Sequence, residues 1–117
     1  MPLTVLIVDD HPSFRATARL LLESEGFDVV GEAADGAAGL RDARALEPDL
    51  VLLDVQLPDI DGFDVAARLT GTDDAPTVIL VSSRDGSDFG PLVTRSGARG
   101  FVPKAELSGD RVQELLP

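Results

Sequence analysis

Cysteine, tryptophan and tyrosine are absent from this chain of 117 residues, and each absence excludes something. Without cysteine there is no disulfide and no thiolate nucleophile, which fits a reducing compartment, so a cytoplasmic location is expected. Because five phenylalanines are the only aromatic residues, the core must be aliphatic. Basic residues are also scarce, since 10 lysines and arginines stand against 21 acids, a net charge of −11. Phosphate backbones repel such a chain, so direct binding of nucleic acid is not expected.

Long hydrophobic runs are missing as well. The amino-terminal segment MPLTVLIVDD has no basic region, and its short apolar run ends at Asp9 and Asp10. This pattern predicts neither a signal peptide nor a membrane span. Hydrophobic residues make up 44% of the chain, which is typical of a globular protein. The length suits one domain, predicted to span residues 1–117.

Apolar runs alternate with amphipathic segments along the whole chain. Short runs of aliphatic residues between polar ones are typical of strands buried on both faces of a parallel sheet. Five β-α units with short right-handed connections predict an α/β fold. The expected form is a doubly wound, flavodoxin-like (βα)5 domain with a central five-stranded parallel sheet. Its predicted strands are 4–8, 27–33, 50–53 ending at Asp54, 77–81 and 98–103.

Helix boundaries carry recognisable signals. Pro12 suits the first turn of the first helix, and Gly26 is placed to end it. Asp35 is predicted to cap a second helix that runs through Leu46, and a third covers 63–69. Ser108 is a candidate cap for a short last helix within 107–116.

The fourth helix is poorly made in sequence. Gly86, Gly90 and Pro91 all fall within the segment where it belongs. A glycine inside a helix costs about 1 kcal/mol against alanine and an interior proline about 3 kcal/mol. We therefore predict that this helix begins near Pro91 and ends at about Gly97, with residues 85–90 forming a loop or a distorted turn.

Polar side chains end four of the predicted strands. Asp54 follows the central strand in the stretch DLVLLDVQLPDIDGFD, at the position where open α/β sheets bind ligands. By itself Asp54 could equally be a solvated strand end. The first strand, however, ends in Asp9 and Asp10, the fourth in Ser82 and the fifth in Lys104. All of these lie at one edge of the predicted sheet.

Carboxylates on neighbouring strands repel each other unless a cation lies among them. Oxygen ligands favour a hard cation, and Mg²⁺ typically binds one or two carboxylates together with water and phosphate. A lysine and a serine beside it would offer a positive charge and a hydrogen bond to an incoming phosphoryl group.

The chain resembles the receiver domain of bacterial two-component response regulators over essentially its whole length. The matching motifs are VLIVDD at 5–10, LVLLDVQLPDIDG at 50–62, VILVSS at 78–83 and GFVPK at 100–104. The segments DDHPSFR at 9–15 and GEAADG at 31–36 are most similar to the subfamily that often carries a helix-turn-helix output domain.

The resemblance implies a metal-dependent phosphoacceptor. Asp54 would accept a phosphoryl group from a sensor histidine kinase. Asp9, Asp10 and Asp54, with the backbone carbonyl of Gln56, would bind Mg²⁺, and Lys104 would bind the phosphoryl oxygens.

The resemblance also implies a switch and its partners. Ser82 takes the position of the switch hydroxyl, and Phe101 that of the switch aromatic residue. Phosphorylation would then change a surface seen by an output domain or a downstream protein, or promote a homodimer. Such a domain is not an enzyme beyond its own phosphorylation and dephosphorylation.

Several positions depart from the family pattern. Ser83 replaces a usual alanine, and Phe101 lacks the tyrosine hydroxyl. Ala105 stands where a proline with a preceding cis bond is usual, and a cis bond before another residue costs about 2.5–4 kcal/mol. The Lys104–Ala105 geometry is therefore open, and Pro103 is interpreted as a trans strand end. His11, the sole histidine, is interpreted as a loop or capping residue rather than a catalytic or metal-binding one.

Two other classes of protein share part of this pattern. A small haloacid-dehalogenase-like phosphatase also uses a strand-end aspartate and Mg²⁺, but it needs a second aspartate where this chain has Gln56. A pseudo-receiver would bind a partner without being phosphorylated, and the full set of Asp10, Asp54, Ser82 and Lys104 argues against it.

Overall fold

The computed structural model describes residues 2–83 and 89–117. Within these two ranges, no helix combines the length and the apolar character needed to cross a membrane.

Five parallel strands form a single sheet in the order β2-β1-β3-β4-β5. This order confirms the predicted flavodoxin-like fold, with β3 at the centre. The strands are β1 Thr4–Val8, β2 Asp28–Ala33, β3 Leu50–Asp54, β4 Thr77–Ser82 and β5 Gly100–Pro103.

Helices cover both faces of the sheet. Side chains of α1 and α5 pack on one face, and those of α2, α3 and α4 pack on the other. The helices are α1 Pro12–Ser24, α2 Gly36–Leu46, α3 Gly62–Thr70, α4 Gly90–Arg95 and α5 Gly109–Leu115.

The central strand is buried on both faces. Leu50 and Leu52 contribute to the core under α1 and α5, whereas Val51 and Leu53 contribute to the core under α2 and α3. All four side chains are fully buried. Because burying such a side chain stabilises a fold by about 1.5–3 kcal/mol, this strand is firmly held and fixes the position of Asp54 at its end.

The helix ends confirm the capping signals in the sequence. At the end of α1, Gly26 N–H donates to the Glu23 carbonyl and Phe27 N–H to the Leu22 carbonyl, the paired bonds of a Schellman motif. Gly26 adopts a φ of 93°, which is a conformation that glycine tolerates. At the starts of α2 and α5, the side chains of Asp35 and Ser108 accept backbone N–H bonds, as predicted.

The fourth helix is short, as predicted. It begins at Gly90, with Pro91 in its first turn, and ends at Arg95, with Ser96 as the C-cap residue. Gly90 is therefore helical rather than part of the expected loop. Phe89 lies in a turn, as predicted, and residues 85–88 of the predicted loop lie outside the described residues. None of the six residues of α4 is buried, so little packing supports this helix.

The segment around Lys104 differs from the sequence interpretation in two ways. β5 begins at Gly100 rather than at residue 98, and an unpredicted 3₁₀ turn covers Lys104–Glu106. The peptide bonds of the described residues are all trans, so the Lys104–Ala105 bond is trans and Pro103 ends β5 in the predicted way.

Candidate functional site

Parallel pairing brings the predicted site residues to one edge of the sheet. Val8 pairs with Leu53, so the chain leaves β1 beside the end of β3. On the other side of β3, Asp54 pairs with Val81, while Ser82 pairs with Pro103 in β5. The register of the sheet therefore brings Asp9, Asp54, Ser82 and Lys104 to the same edge. The first three of these residues are buried.

Asp54 has a buried side chain held at both oxygens. Its Oδ1 accepts the Gln56 backbone N–H at 3.1 Å, and its Oδ2 lies 3.4 Å from Lys104 Nζ. Burial raises the pKa of Asp54 above its ordinary value, and the Asp9 charge raises it further, although the Gln56 N–H and Lys104 act in the opposite direction. The carboxylate is fixed in place, and its negative charge is only partly compensated.

Asp9 and Lys104 form the ion pair beside it. Asp9 is fully buried, and its Oδ2 lies 2.7 Å from Lys104 Nζ. The approach does not have hydrogen-bond geometry, so Asp9 Oδ2 has no hydrogen bond from any described residue. The Lys104 ammonium also lies 4.5 Å from the centre of the Phe14 ring, a cation–π contact. The Lys104 side chain thus extends from the end of β5 past the carboxyl end of β3 to the carboxylates of Asp9 and Asp54.

The His11 side chain lies among the acidic residues, although the sequence favoured a loop or capping role over metal binding. Its Nδ1 lies 3.1 Å from Asp9 Oδ1 and 3.1 Å from Asp10 Oδ1, and Asp10 is at the exposed mouth of the site. His11 is the N-cap residue of α1, in line with the loop or capping interpretation, but its side chain makes no capping hydrogen bond. The only signal in the sequence was its position directly after the two acids.

The three carboxylates suit a hard divalent cation. One ligand atom from each of Asp9, Asp10, His11 and Asp54 lies within 4.8 Å of the others. The raised pKa of Asp54 indicates carboxylate charge that the protein only partly compensates, because Lys104 is shared between the carboxylates of Asp9 and Asp54. A cation among these oxygens would supply that compensation. Gln56 is placed by its N–H bond to Asp54, and its carbonyl stays a predicted ligand.

The two predicted switch residues lie in the two strands that follow β3 in the sheet, Ser82 in β4 and Phe101 in β5. Ser82 is buried at the end of β4, and the neighbouring Ser83 is exposed. Phe101 is partly buried in β5, and its ring centre is 5.7 Å from that of Phe89, which is 5.6 Å from that of Phe63. Three rings therefore connect β5 with the starts of α4 and α3. Sequence analysis missed this row, because ring contacts between separate elements depend on packing.

Asp59 ties the loop after β3 to α2. Its Oδ1 accepts the Gly36 N–H at 2.7 Å, and its Oδ2 accepts the Ala37 N–H at 3.0 Å. These bonds to the first turn of α2 lower the pKa of the Asp59 carboxyl, although the group is exposed. The loop that carries Gln56 is thereby anchored to a helix that lies 22 and 23 residues earlier in the chain.

Replacing Asp59 with alanine should lower the free energy of unfolding at neutral pH. The folded-state pKa of Asp59 lies below its ordinary value of 3.8, so the stabilisation is present above that value and is lost as pH falls through the folded-state pKa. Urea unfolding followed by circular dichroism at several pH values measures the difference between the variant and the wild type.

The matched control for this experiment is Asp64→Ala, which also removes an exposed acid, in this case from the first turn of α3. We expect the loss of unfolding free energy in Asp59→Ala to shrink in acid. At neutral pH, the loss in Asp64→Ala should be smaller than the loss in Asp59→Ala. A pH-independent loss in Asp59→Ala would contradict the anchoring role of the carboxylate.

A doubly wound sheet with a buried aspartate at the end of its central strand, two acids after β1 and a lysine after β5 defines the receiver class of α/β domains. The sequence profile described as "Response regulator receiver domain" matches residues 5–115. The chain belongs to the response regulator receiver family, which confirms the resemblance inferred from its motifs.

Relatives of known name or structure agree with this assignment. The transcription regulator BvgA of Bordetella pertussis is 44% identical over 102 residues, which are 87% of this chain and 49% of BvgA. A LuxR-family two-component response regulator from Aurantimonas has a TM-score of 0.82 and 30% identity, covering 98% of this chain and 96% of that one. A structure of a CheX–CheY–BeF3–Mg²⁺ complex from Borrelia burgdorferi has a TM-score of 0.86 and 27% identity, covering 98% and 87%.

The curated relatives also bear on the subfamily. This chain spans about half the length of the first of them, 52% of one and 49% of another. They include regulators of transcription, and the Aurantimonas structure is of the LuxR family, which agrees with the predicted similarity to regulators that carry output domains.

Proposed function

We propose that this receiver domain accepts a phosphoryl group on Asp54 from a sensor histidine kinase, in a reaction that requires Mg²⁺. The observation that carries the proposal is the Asp54 carboxylate itself, buried at the end of the central strand with Lys104 Nζ 3.4 Å from Oδ2. The Borrelia burgdorferi relative, solved as a complex with BeF3 and Mg²⁺, supports the metal requirement.

The metal would be held by Asp9, Asp10 and Asp54, with the Gln56 carbonyl as a further ligand. When bound, Mg²⁺ neutralises negative charge where a carboxylate and a phosphoryl group must meet. The protein's own contribution is to hold these oxygens together on rigid strand ends, so that little reorganisation is needed when the phosphoryl group arrives.

Asp54 is the nucleophile of the transfer. One of its carboxylate oxygens forms a bond to phosphorus while the phosphorus–nitrogen bond of the kinase phosphohistidine breaks, and the electron pair of that bond returns to the imidazole nitrogen. Lys104 gives up its contact with Asp54 and binds the phosphoryl oxygens instead. A carboxylate is a weak nucleophile, so this positioning and charge compensation provide most of the rate.

Phosphorylation then changes the surface around α4. Ser82 moves toward the phosphoryl group, and Phe101 adjusts its packing in the row with Phe89 and Phe63. Since Phe101 has no hydroxyl, the change is transmitted through ring packing rather than through a hydrogen bond. The weakly packed α4 is a natural place for a small shift to alter the surface offered to an output domain, a downstream protein or a second copy.

We also propose that the domain works in the cytoplasm and catalyses nothing beyond its own phosphorylation and dephosphorylation. A haloacid-dehalogenase-like phosphatase would need an acid where the chain has Gln56. A pseudo-receiver would keep the Lys104–Asp9 ion pair for structure only. Incubation with acetyl phosphate and Mg²⁺ separates the three: a phosphorylated protein, continuous turnover, or no reaction. Mass spectrometry of the intact protein and an inorganic phosphate assay measure these outcomes.

Millimolar Mg²⁺ should raise the melting temperature of the unphosphorylated protein. The ion would relieve the repulsion among Asp9, Asp10 and Asp54, and a ligand at 100 times its Kd stabilises a fold by about 2.7 kcal/mol. Thermal unfolding followed by circular dichroism, with NaCl at matched ionic strength as the control, measures the shift. Asp10→Asn should bind Mg²⁺ more weakly and show a smaller rise. An unchanged melting temperature in the wild type would contradict a metal site at these acids.

A further inference from the structure

We propose that His11 Nδ1 is an additional protein ligand in the metal site and gives it a preference for transition ions such as Zn²⁺ over Mg²⁺. The inference rests on the metal site of the proposed function and concerns which ions that site selects.

The His11 ring is placed at ligand spacing. In an octahedral site with bonds of about 2.1 Å, neighbouring ligand atoms lie about 3.0 Å apart. Nδ1 is 3.1 Å from Asp9 Oδ1 and 3.1 Å from Asp10 Oδ1, which fits two such edges, and it is 3.9 Å from Asp54 Oδ2. One ion can therefore contact Nδ1 and the carboxylates together.

Lys104 and His11 face different oxygens of the Asp9 carboxylate. Lys104 pairs with Oδ2, whereas His11 faces Oδ1, and Lys104 Nζ lies 3.4 Å from Nδ1. Without metal, a proton on Nδ1 can be donated to Asp9 Oδ1, which is at hydrogen-bond distance. A bound cation would take the place of that proton, and Nδ1 would then offer its lone pair to the ion.

The backbone holds the ring in reach of both the acids and solvent. His11 N–H donates to Asp9 Oδ1 at 2.8 Å, and the His11 carbonyl accepts Arg15 N–H at 3.1 Å. Pro12 follows at the first position of α1. The side chain of His11 is 62% exposed, so an ion can approach Nδ1 from water, and its Nε2 is not needed for capping.

The chemistry of the donors determines which ion gains most. Carboxylates suit Mg²⁺, whereas imidazole suits Zn²⁺, Ni²⁺ and Cu²⁺, which bind nitrogen far more tightly. An imidazole ligand therefore strengthens Zn²⁺ binding much more than Mg²⁺ binding. A site built from Asp9, Asp10 and Asp54 alone would discriminate less between Zn²⁺ and Mg²⁺.

Nitrogen NMR tests the contact directly, because His11 is the only histidine. Untagged protein with ¹⁵N-labelled histidine gives one pair of ring nitrogen signals, and Zn²⁺ or Mg²⁺ is added to it. We expect Zn²⁺ to shift the Nδ1 signal to the range of a metal-bound nitrogen, while Nε2 carries the proton. No Zn²⁺-dependent change at Nδ1, or a change at Nε2 alone, would overturn the proposal, as would an Nδ1 that keeps a proton shared with Asp9 and Asp10.

Calorimetric titration of His11→Asn measures the selectivity. Asparagine is a favourable N-cap residue, so this variant should fold. We expect Zn²⁺ affinity to fall at least about tenfold, with a much smaller change for Mg²⁺, and Asp10→Asn to weaken both ions. Equal Zn²⁺ affinity in wild type and His11→Asn would overturn the inference. If Mg²⁺ binding and labelling of Asp54 persist in that case, the proposed function stands; if Mg²⁺ does not bind at all, the proposed function itself fails.

Discussion

Replacing Asp54 with asparagine should abolish labelling by acetyl phosphate and leave the fold intact. The amide oxygen is a far poorer nucleophile than a carboxylate. Asp9 also lies beside Lys104, but Asp54 is the carboxylate that ends the central strand. Asparagine has nearly the same shape as aspartate. Because burial and the Asp9 charge raise the pKa of Asp54, removal of its charge should leave the free energy of unfolding unchanged or higher without metal.

Intact-protein mass spectrometry after incubation with acetyl phosphate and Mg²⁺ measures the labelling, and circular dichroism measures the fold. Asp64→Asn is the matched control, since it neutralises an exposed acid on α3 and should label like the wild type. The assignment is wrong if Asp10→Asn abolishes labelling while Asp54→Asn retains it.

Gly62→Ala should have the largest effect on stability of any single methyl added to the site. A Cβ at this position would overlap the Asp54 carbonyl oxygen and would lie 2.7 Å from both Cα and the carbonyl oxygen of Val55. All three atoms belong to the backbone, so no side chain can rotate away. Overpacking of this kind costs about 1–3 kcal/mol or more, and relief of the clash must move Asp54.

We therefore expect Gly62→Ala to lower the free energy of unfolding and also to weaken Mg²⁺ binding and phosphoryl labelling. Gly90→Ala is the control, because a Cβ there meets no atom of the described residues within 4 Å and alanine favours a helix. That control should be neutral or slightly stabilising. Denaturant unfolding measures the stability of both variants. Equal stability of the two would contradict the prediction and would show that the loop after β3 adjusts freely around Asp54.

Local patterns in the sequence were sufficient to predict most of the fold. Aliphatic runs between polar residues located the strands, and Asp35, Ser108 and Gly26 marked helix ends, because capping depends on residues within one turn. The sheet edge that gathers Asp9, Asp54 and Lys104 also followed from the sequence, since parallel strands place their carboxyl ends together. The start of the fourth helix was predicted to within one residue, because Pro91 is tolerated only in a first turn.

Contacts between distant segments were decided only by the tertiary structure. Asp59 caps a helix that precedes it by more than 20 residues, and no local pattern marks that pairing. Asp9 is buried against Lys104 whereas Asp10 is exposed, although the two acids are adjacent and alike in sequence. The position of the His11 ring among the carboxylates depends on the path of the chain from β1 into α1. Such features require the packing of several elements at once, so sequence periodicity, which describes one element at a time, cannot specify them.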